Sequence, residues 1–229
     1  MQNLSKLTIV AAVAASALSL SASGAVIASW SMPTSVTTGT VGTSFTYGAA
    51  DAGEATAGSS LSSTHAAAAT AYSSPAGNGS TYSLSSNNWA IGDYYQVTVS
   101  TSNYQEVSFS WDQTRSSTGP SSFELVMSTD GGSTWSTLMA SVTVIQAGLA
   151  GTNTTSWNAT TSQAAFTTST AAADASDHAS VIFRIRSLVT TAAAGTSRID
   201  NVVVSGTFVP APGAVALLGL AGLINRRRR

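Results

Sequence analysis

Cysteine is absent from all 229 residues, so no disulfide braces the fold and no thiol serves as nucleophile or metal ligand. Histidine occurs twice, at His65 and His178, too few for a zinc site in a chain without cysteine. Charge is scarce too, with Asp, Glu, Lys and Arg making up 8% of the residues. The single lysine is Lys6, and between residues 26 and 209 the four arginines Arg115, Arg184, Arg186 and Arg198 face ten acids, a net charge of minus six. That balance excludes a phosphate backbone, and hence nucleic acid, as a partner. The chain has no Gly-x-Ser-x-Gly elbow, no His-Glu-x-x-His pair and no glycine loop of the phosphate-cradling kind, so no cofactor is implied and the reading is non-enzymatic. Between residues 26 and 208 no stretch carries a capped helical period, which removes the helical fold classes.

What the chain does have is alternation. Val107, Phe109 and Trp111 fall on one side of a strand against Ser108, Ser110 and Asp112 on the other, and Phe123, Leu125 and Met127 alternate with Glu124 and Val126. Tyr95, Val97 and Val99 repeat the pattern against Tyr94, Gln96 and Thr98, as do Val181, Phe183 and Ile185 against Ile182, Arg184 and Arg186. Further strands near 27–32, 44–47, 141–145 and 199–208 bring the expected total to about eight antiparallel strands. The fold class is therefore all-β, a β-sandwich of jelly-roll type with one core, because about 180 residues suffice for one domain. Residues 49–79 and 148–177 are rich in Ala, Gly, Ser and Thr without alternation and are expected as long surface loops. They hold the acceptor tripeptides beginning at Asn78, Asn153 and Asn158.

One internal motif is sharp. Ser128-Thr129-Asp130-Gly131-Gly132-Ser133-Thr134-Trp135 matches the Asp-box pattern S-x-D-x-G-x-T-W at every specified position. The Asp130 carboxylate is expected to accept hydrogen bonds from turn amides, Gly132 to supply a positive φ, and Trp135 to fold onto the core, a structural turn and not a catalytic site. A single copy without a blade-length repeat excludes a propeller.

The two ends carry a different kind of information. Met1 to Lys6 is weakly basic, Leu7 to Leu20 is apolar and Ser23-Gly24-Ala25 is a small-residue cleavage site, together a signal peptide over 1–25 with the exported chain starting near Val26. At the other end, 209–229, the pair Pro210-Ala211-Pro212 precedes the apolar run Gly213 to Ile224, Asn225 and the cluster Arg226, Arg227, Arg228 and Arg229. Twelve apolar residues at about 1.5 Å each reach roughly 18 Å, short of a hydrocarbon core of about 30 Å, so a permanent anchor fits less well than a transient one. The tail resembles the PEP-CTERM sorting signal that exosortases read in Gram-negative bacteria, with Ala211 where the family has Glu. The resemblance implies a short C-terminal hydrophobic helix, transient inner-membrane anchoring, cleavage by an exosortase-like enzyme at Pro210, Ala211 and Pro212, and retention on the cytoplasmic side by the arginines. It also implies delivery to the cell surface or extracellular matrix, in a family associated with exopolysaccharide and biofilm. The run from Val107 to Trp135 and the closing Ser197-Arg198-Ile199-Asp200-Asn201-Val202 are similar to the jelly-roll ectodomains that accompany such tails.

The candidate binding residues follow from strand parity. With strands 94–99, 107–112, 123–127 and 181–186 in one sheet, Tyr94, Gln96, Asp112, Glu124, Arg184 and Arg186 line its polar face, a mixture suited to the sugar hydroxyls or acidic sugars of an extracellular polysaccharide. Asp112 and Glu124 on one face would also offer paired carboxylates to a divergent glycosidase. Trp111 and Trp135 are expected in the core, while Trp89 and Trp157 lie near loops where an indole can stack on a sugar ring. Asp174 and Asp177 beside His178 are read as solvating a loop, not as metal ligands.

Overall fold

Period-two burial runs through the strands of the computed structural model, which describes residues 24–151 and 153–210. Residues 1–23 of the expected signal peptide 1–25, and the tail from Ala211 through Pro212 to Arg229 with its expected helix, lie outside the described residues, whereas Gly24 and Ala25 open the first strand. Twelve strands follow in order: β1 (Gly24–Trp30), β2 (Ser44–Gly48), β3 (Ser60–Thr64), β4 (Tyr72–Ser73), β5 (Leu84–Ser86) and β6 (Tyr94–Val99), then β7 (Tyr104–Arg115), β8 (Ser122–Ser128), β9 (Ser136–Thr143), β10 (Thr167–Ala171), β11 (Val181–Ser187) and β12 (Ser197–Phe208). The only helical pieces among the described residues are two single 3-10 turns, Ala164–Phe166 and Ala173–Ala175. No helix there is long and apolar enough to cross a membrane.

The strands form two six-stranded sheets in which neighbouring strands run antiparallel. Sheet I has the order β10-β7-β12-β5-β4, with β1 also paired to β12, and sheet II has the order β2-β3-β6-β11-β8-β9. Each sheet turns one apolar face inward. Phe109 of β7 and Phe183 of β11 stack between the sheets with centroids 4.6 Å apart, and Trp30, Trp89, Trp111, Tyr95 and Phe123 complete a core whose members are almost wholly hidden from solvent. Burying these rings stabilises the fold by roughly 25 cal/mol per Å² of apolar surface, which matters in a chain with no covalent cross-link.

Four strands were not anticipated from alternation. β3 and β4 lie within the stretch 49–79 and β10 within 148–177, both expected as surface loops, and β5 is a three-residue strand. β3 is an interior strand between β2 and β6, with Leu61 fully buried while Ser60, Ser62 and Thr64 face outward. Its alternation is carried by Ser and Leu instead of Val and aromatics, so a hydrophobicity pattern does not register it. β7, expected beside β6, β8 and β11, belongs instead to sheet I. Asp112 therefore leaves the expected polar face, and Asp112 and Glu124 lie in different sheets, which removes the paired-carboxylate arrangement.

Candidate functional site

On the outer face of sheet II the register draws residues of five strands into transverse rows. Ser62, Gln96, Arg184 and Val126 are successive partners across β3, β6, β11 and β8, with Thr137 of β9 beyond them. The adjacent row runs Thr64, Tyr94, Arg186 and Glu124. Parity puts all of these outward because Tyr95, Val97, Phe183, Ile185 and Leu125 take the inward positions. The structure thus brings together Tyr94, Gln96, Glu124, Arg184 and Arg186 as strand parity predicts.

Arg184 is the centre of the group. Its guanidinium carbon lies 4.1 Å from the centroid of the Tyr94 ring and 4.2 Å from that of Trp135, and its Nε donates to Gln96 Oε1 at 2.8 Å. Each cation–ring contact contributes roughly 0.5–1 kcal/mol at an exposed site, and together with the hydrogen bond they fix the guanidinium plane. Val126, the register partner of Arg184, is 2% exposed although it points away from the main core, so this layer of side chains covers it. Arg186 takes a different partner, donating from Nε to Glu124 Oε1 at 2.7 Å. With the arginine side chain 39% exposed, that ion pair is a surface one and contributes at most about 1 kcal/mol.

Trp135 reaches Arg184 through the Asp-box turn. Asp130 Oδ1 accepts from Ser128 Oγ at 2.7 Å, from the Ser133 amide at 3.0 Å and from the Thr134 amide at 2.9 Å, while Oδ2 accepts from Thr134 Oγ1. These donors, Thr134 first, hold the Asp130 carboxyl well below the usual carboxylate range. Gly131 and Gly132 adopt φ of 74° and 91°, a conformation that a side chain disfavours. Trp135 Nε1 donates to Gly132 O at 3.0 Å. The turn chemistry is as the motif implies, but the destination of the indole is not: Trp135 is half-buried on the outer face, not in the core. The clue lay in hairpin parity, since Thr137 pairs with outward-facing Val126 and Trp135 stands two residues before it. Conversely, Trp89 and Trp157, expected near solvent, are 1% and 5% exposed. Trp89 packs on His65, Tyr95 and Phe123, and Trp157 meets Phe166 edge to face.

Two buried polar clusters escape a reading based on alternation. In sheet I, Asp112 and Asp200 are register partners on β7 and β12. Asp112 accepts from Asn78 Nδ2 and Asn201 Nδ2, both at 2.8 Å, and from Thr167 Oγ1 at 2.6 Å. Asp200 Oδ2 accepts from the Asn78 amide at 2.7 Å and Ser80 Oγ at 2.6 Å, whereas its Oδ1 is buried without a hydrogen-bond partner among the described residues. Burial, with the Asp112 charge nearby, pushes the Asp200 carboxyl up to about 6. The register slips just after Asp200, where Asn201 takes a φ of 46°, and this bulge re-aims the Asn201 amide toward Asp112. Asn78, 1% exposed here, is thereby closed to modification.

The second cluster lies near the β3–β6 end of the core. His65 Nδ1 meets Asp93 Oδ2 at 3.2 Å, and its Nε2 lies 3.0 Å from Ser63 Oγ and 3.1 Å from Ser86 Oγ. The order Ser, His, Asp resembles a hydrolytic triad in composition only, since Ser63 is fully buried and offers no substrate a path. Burial lowers the His65 pKa against the opposing pull of Asp93. Around His178, Asp177 Oδ1 accepts from the Asn103 amide at 2.8 Å and the His178 amide donates to Thr101 Oγ1 at 3.1 Å, so these residues fasten a loop. Of the sorting residues only Pro210 is described; Ala211, Pro212 and Arg226 to Arg229 lie beyond.

No family model matches the chain, and no curated protein matches it. Solved structures match loosely. The K2 cleaved adhesin domain of Lys-gingipain aligns with 58% of this chain and 74% of its own at 11% identity and a TM-score of 0.34. An exo-β-agarase aligns with 62% of this chain at 15% identity and a TM-score of 0.33, and the match spans 22% of the agarase's length.

Proposed function

We propose that the protein is an exported, non-enzymatic surface or extracellular-matrix component whose jelly-roll-type ectodomain, residues 26–208, adheres to polysaccharide through the outer face of sheet II. One observation carries the adhesive reading. The fixed guanidinium of Arg184, with Tyr94, Trp135 and Gln96 around it, sits amid outward hydroxyls of Ser60, Ser62, Thr64 and Thr98 on an open sheet face. Flat faces combining aromatic edges, preset hydrogen-bond donors and hydroxyls suit sugar rings, whose CH patches and OH groups alternate.

Export and sorting belong to the same proposal. The signal peptide delivers the chain across the inner membrane, the apolar tail holds it there transiently, and an exosortase-like enzyme cuts near Pro210, Ala211 and Pro212. The test of adhesion is co-sedimentation of the protein with insoluble polysaccharides from the producing cells' own matrix, beside its Arg184→Ala variant. Retention lost in the variant is expected; equal retention of the two proteins, or retention of neither, refutes the reading.

A further inference from the structure

Among the described residues Arg184 has no ion-pair partner. Ten acids lie between residues 26 and 209, yet among the described residues the ion pairs join only His65 to Asp93 and Arg186 to Glu124. The Arg184 Nε is engaged by Gln96, and its two terminal nitrogens have no hydrogen-bond partner among the described residues. A half-buried guanidinium held by two rings, with a fork of donors and a charge that no described residue pairs, is complementary to one chemical group above others: a planar carboxylate, which takes two parallel N–H bonds. A neutral hydroxyl satisfies donors without balancing the charge.

We infer that the outer face of sheet II recognises the uronate carboxylate of an acidic polysaccharide, taken by the terminal nitrogens of Arg184, with the Asp130 hairpin as the positioning element that holds Trp135 against the guanidinium. The inference rests on the adhesive reading above and names its ligand class. A polysaccharide is the occupant that the surroundings favour, because Ser62 and Thr64 stand in the rows of Arg184 and Arg186 two strands away, about 10 Å across the sheet, and present hydroxyls to an extended chain lying along those rows. The domain's overall negative charge does not forbid this, since charges more than about 8 Å away are largely screened at physiological salt, while Glu124 is paired with Arg186 and the Asp130 carboxylate is occupied by its own turn donors. Asp130 acts at one remove. Removing its carboxylate deletes the acceptors for Ser128, Ser133 and Thr134 at once, and the turn that aims the indole at Arg184 loses its frame.

The fold supplies its own reporter. Of the five tryptophans, Trp30, Trp89, Trp111 and Trp157 are buried and Trp135 alone is half-exposed, so acrylamide quenching of fluorescence reads the site. The full-length protein is titrated with oligogalacturonate, with its methyl ester and with a neutral cello-oligosaccharide. The acid form is expected to protect Trp135 and to bind about tenfold or more tightly than the ester, with the preference lost in Arg184→Ala and in Arg184→Lys, which keeps the charge but not the fork. Asp130→Ala is expected to weaken binding about tenfold and to raise quenching without ligand, while Asp130→Asn, which keeps one acceptor oxygen for the two turn amides, recovers most of both. Thermal midpoints of all variants identify any that fail to fold, and the acid-to-ester ratio of the unmodified protein does not depend on them. Equal binding of acid, ester and neutral oligomers overturns the carboxylate inference and leaves adhesion standing; binding of none of the three overturns the inference, and adhesion falls with it only if matrix co-sedimentation also fails.

Discussion

Replacing Asp200 by Asn is expected to change how the stability of this fold depends on pH, and the structure sets both the sign and the size. Asp200 is fully buried, accepts from the Asn78 amide and Ser80 Oγ on one oxygen, and has no partner for the other among the described residues. Burial raises its pKa from an ordinary 3.8 to about 6. Between those values the folded chain holds a proton that the unfolded chain has released, so the contribution of Asp200 is complete below about pH 4 and is lost as pH rises through about 6. A difference of about two pH units at about 1.36 kcal/mol each corresponds to about 3 kcal/mol. Asparagine keeps a carbonyl oxygen for Asn78 and Ser80 but never ionises, so its stability lacks this decline. His65 titrates in the opposite sense: its lowered pKa means stability present above about 6.5 and lost as pH falls. Because His65 is common to both proteins, its effect cancels in the difference. Urea unfolding at pH 4, 5, 6 and 7, followed by tryptophan fluorescence, should therefore show Asp200→Asn gaining about 2–2.5 kcal/mol on the parent from pH 4 to pH 7, since part of the full span is already lost at pH 4. A difference independent of pH refutes the placement of an ionisable, buried carboxyl at this position.

Asn78→Ala removes the side-chain bonds to Asp112 and Gln163 and is expected to cost about 2–4 kcal/mol in urea unfolding, with Trp135 quenching unchanged because the network belongs to sheet I. Phe183→Ala opens a cavity opposite Phe109 and should destabilise by about 3–5 kcal/mol, measured by the same unfolding curve, whereas Thr98→Ala on the outer face should stay within about 0.5 kcal/mol. Mass spectrometry of protein recovered from producing cells is expected to find a C-terminus near Pro210 to Pro212 in the surface or medium fraction; an intact Arg229 in the inner-membrane fraction contradicts the sorting proposal.

The strands that alternation identified are those whose inward positions are mostly large and apolar, as in β6, β7, β8 and β11. Where the inward residues are small or polar, as with Ser63 in β3, the same backbone geometry leaves no hydrophobic trace. Sheet membership was beyond reach for a related reason: alternation tells which side of a strand is buried but not which sheet buries it, and β7 has the same pattern in either. Arg184, Arg186, Tyr94 and Gln96 share a face whichever sheet holds β7, because they sit on strands that pair directly. The Asp-box fixes the turn, whereas the direction of the Trp135 indole depends on the register of the following strand. The buried networks around Asp200 and His65 join residues far apart in sequence, and no local pattern encodes such meetings.

The contrast between the two kinds of polar cluster bears on function. Around Asp112, the bonds from Asn78, Asn201 and Thr167 occupy the carboxylate and tie residues from three separate parts of the chain to sheet I, so this group is spent on the fold. On sheet II the arrangement is reversed: Arg184 is fixed by rings and by Gln96, but its terminal donors meet no acceptor among the described residues. Holding a cation rigid loses side-chain entropy, up to about 2 kcal/mol for a long chain, which a solvated arginine avoids. Order imposed on a charge that the fold does not neutralise lowers the entropy still to be lost when a ligand arrives, and that is preorganisation for binding. The same reasoning separates Arg184 from Arg186, whose charge Glu124 already answers, and ranks Arg184→Ala above Arg186→Ala in its effect on adhesion.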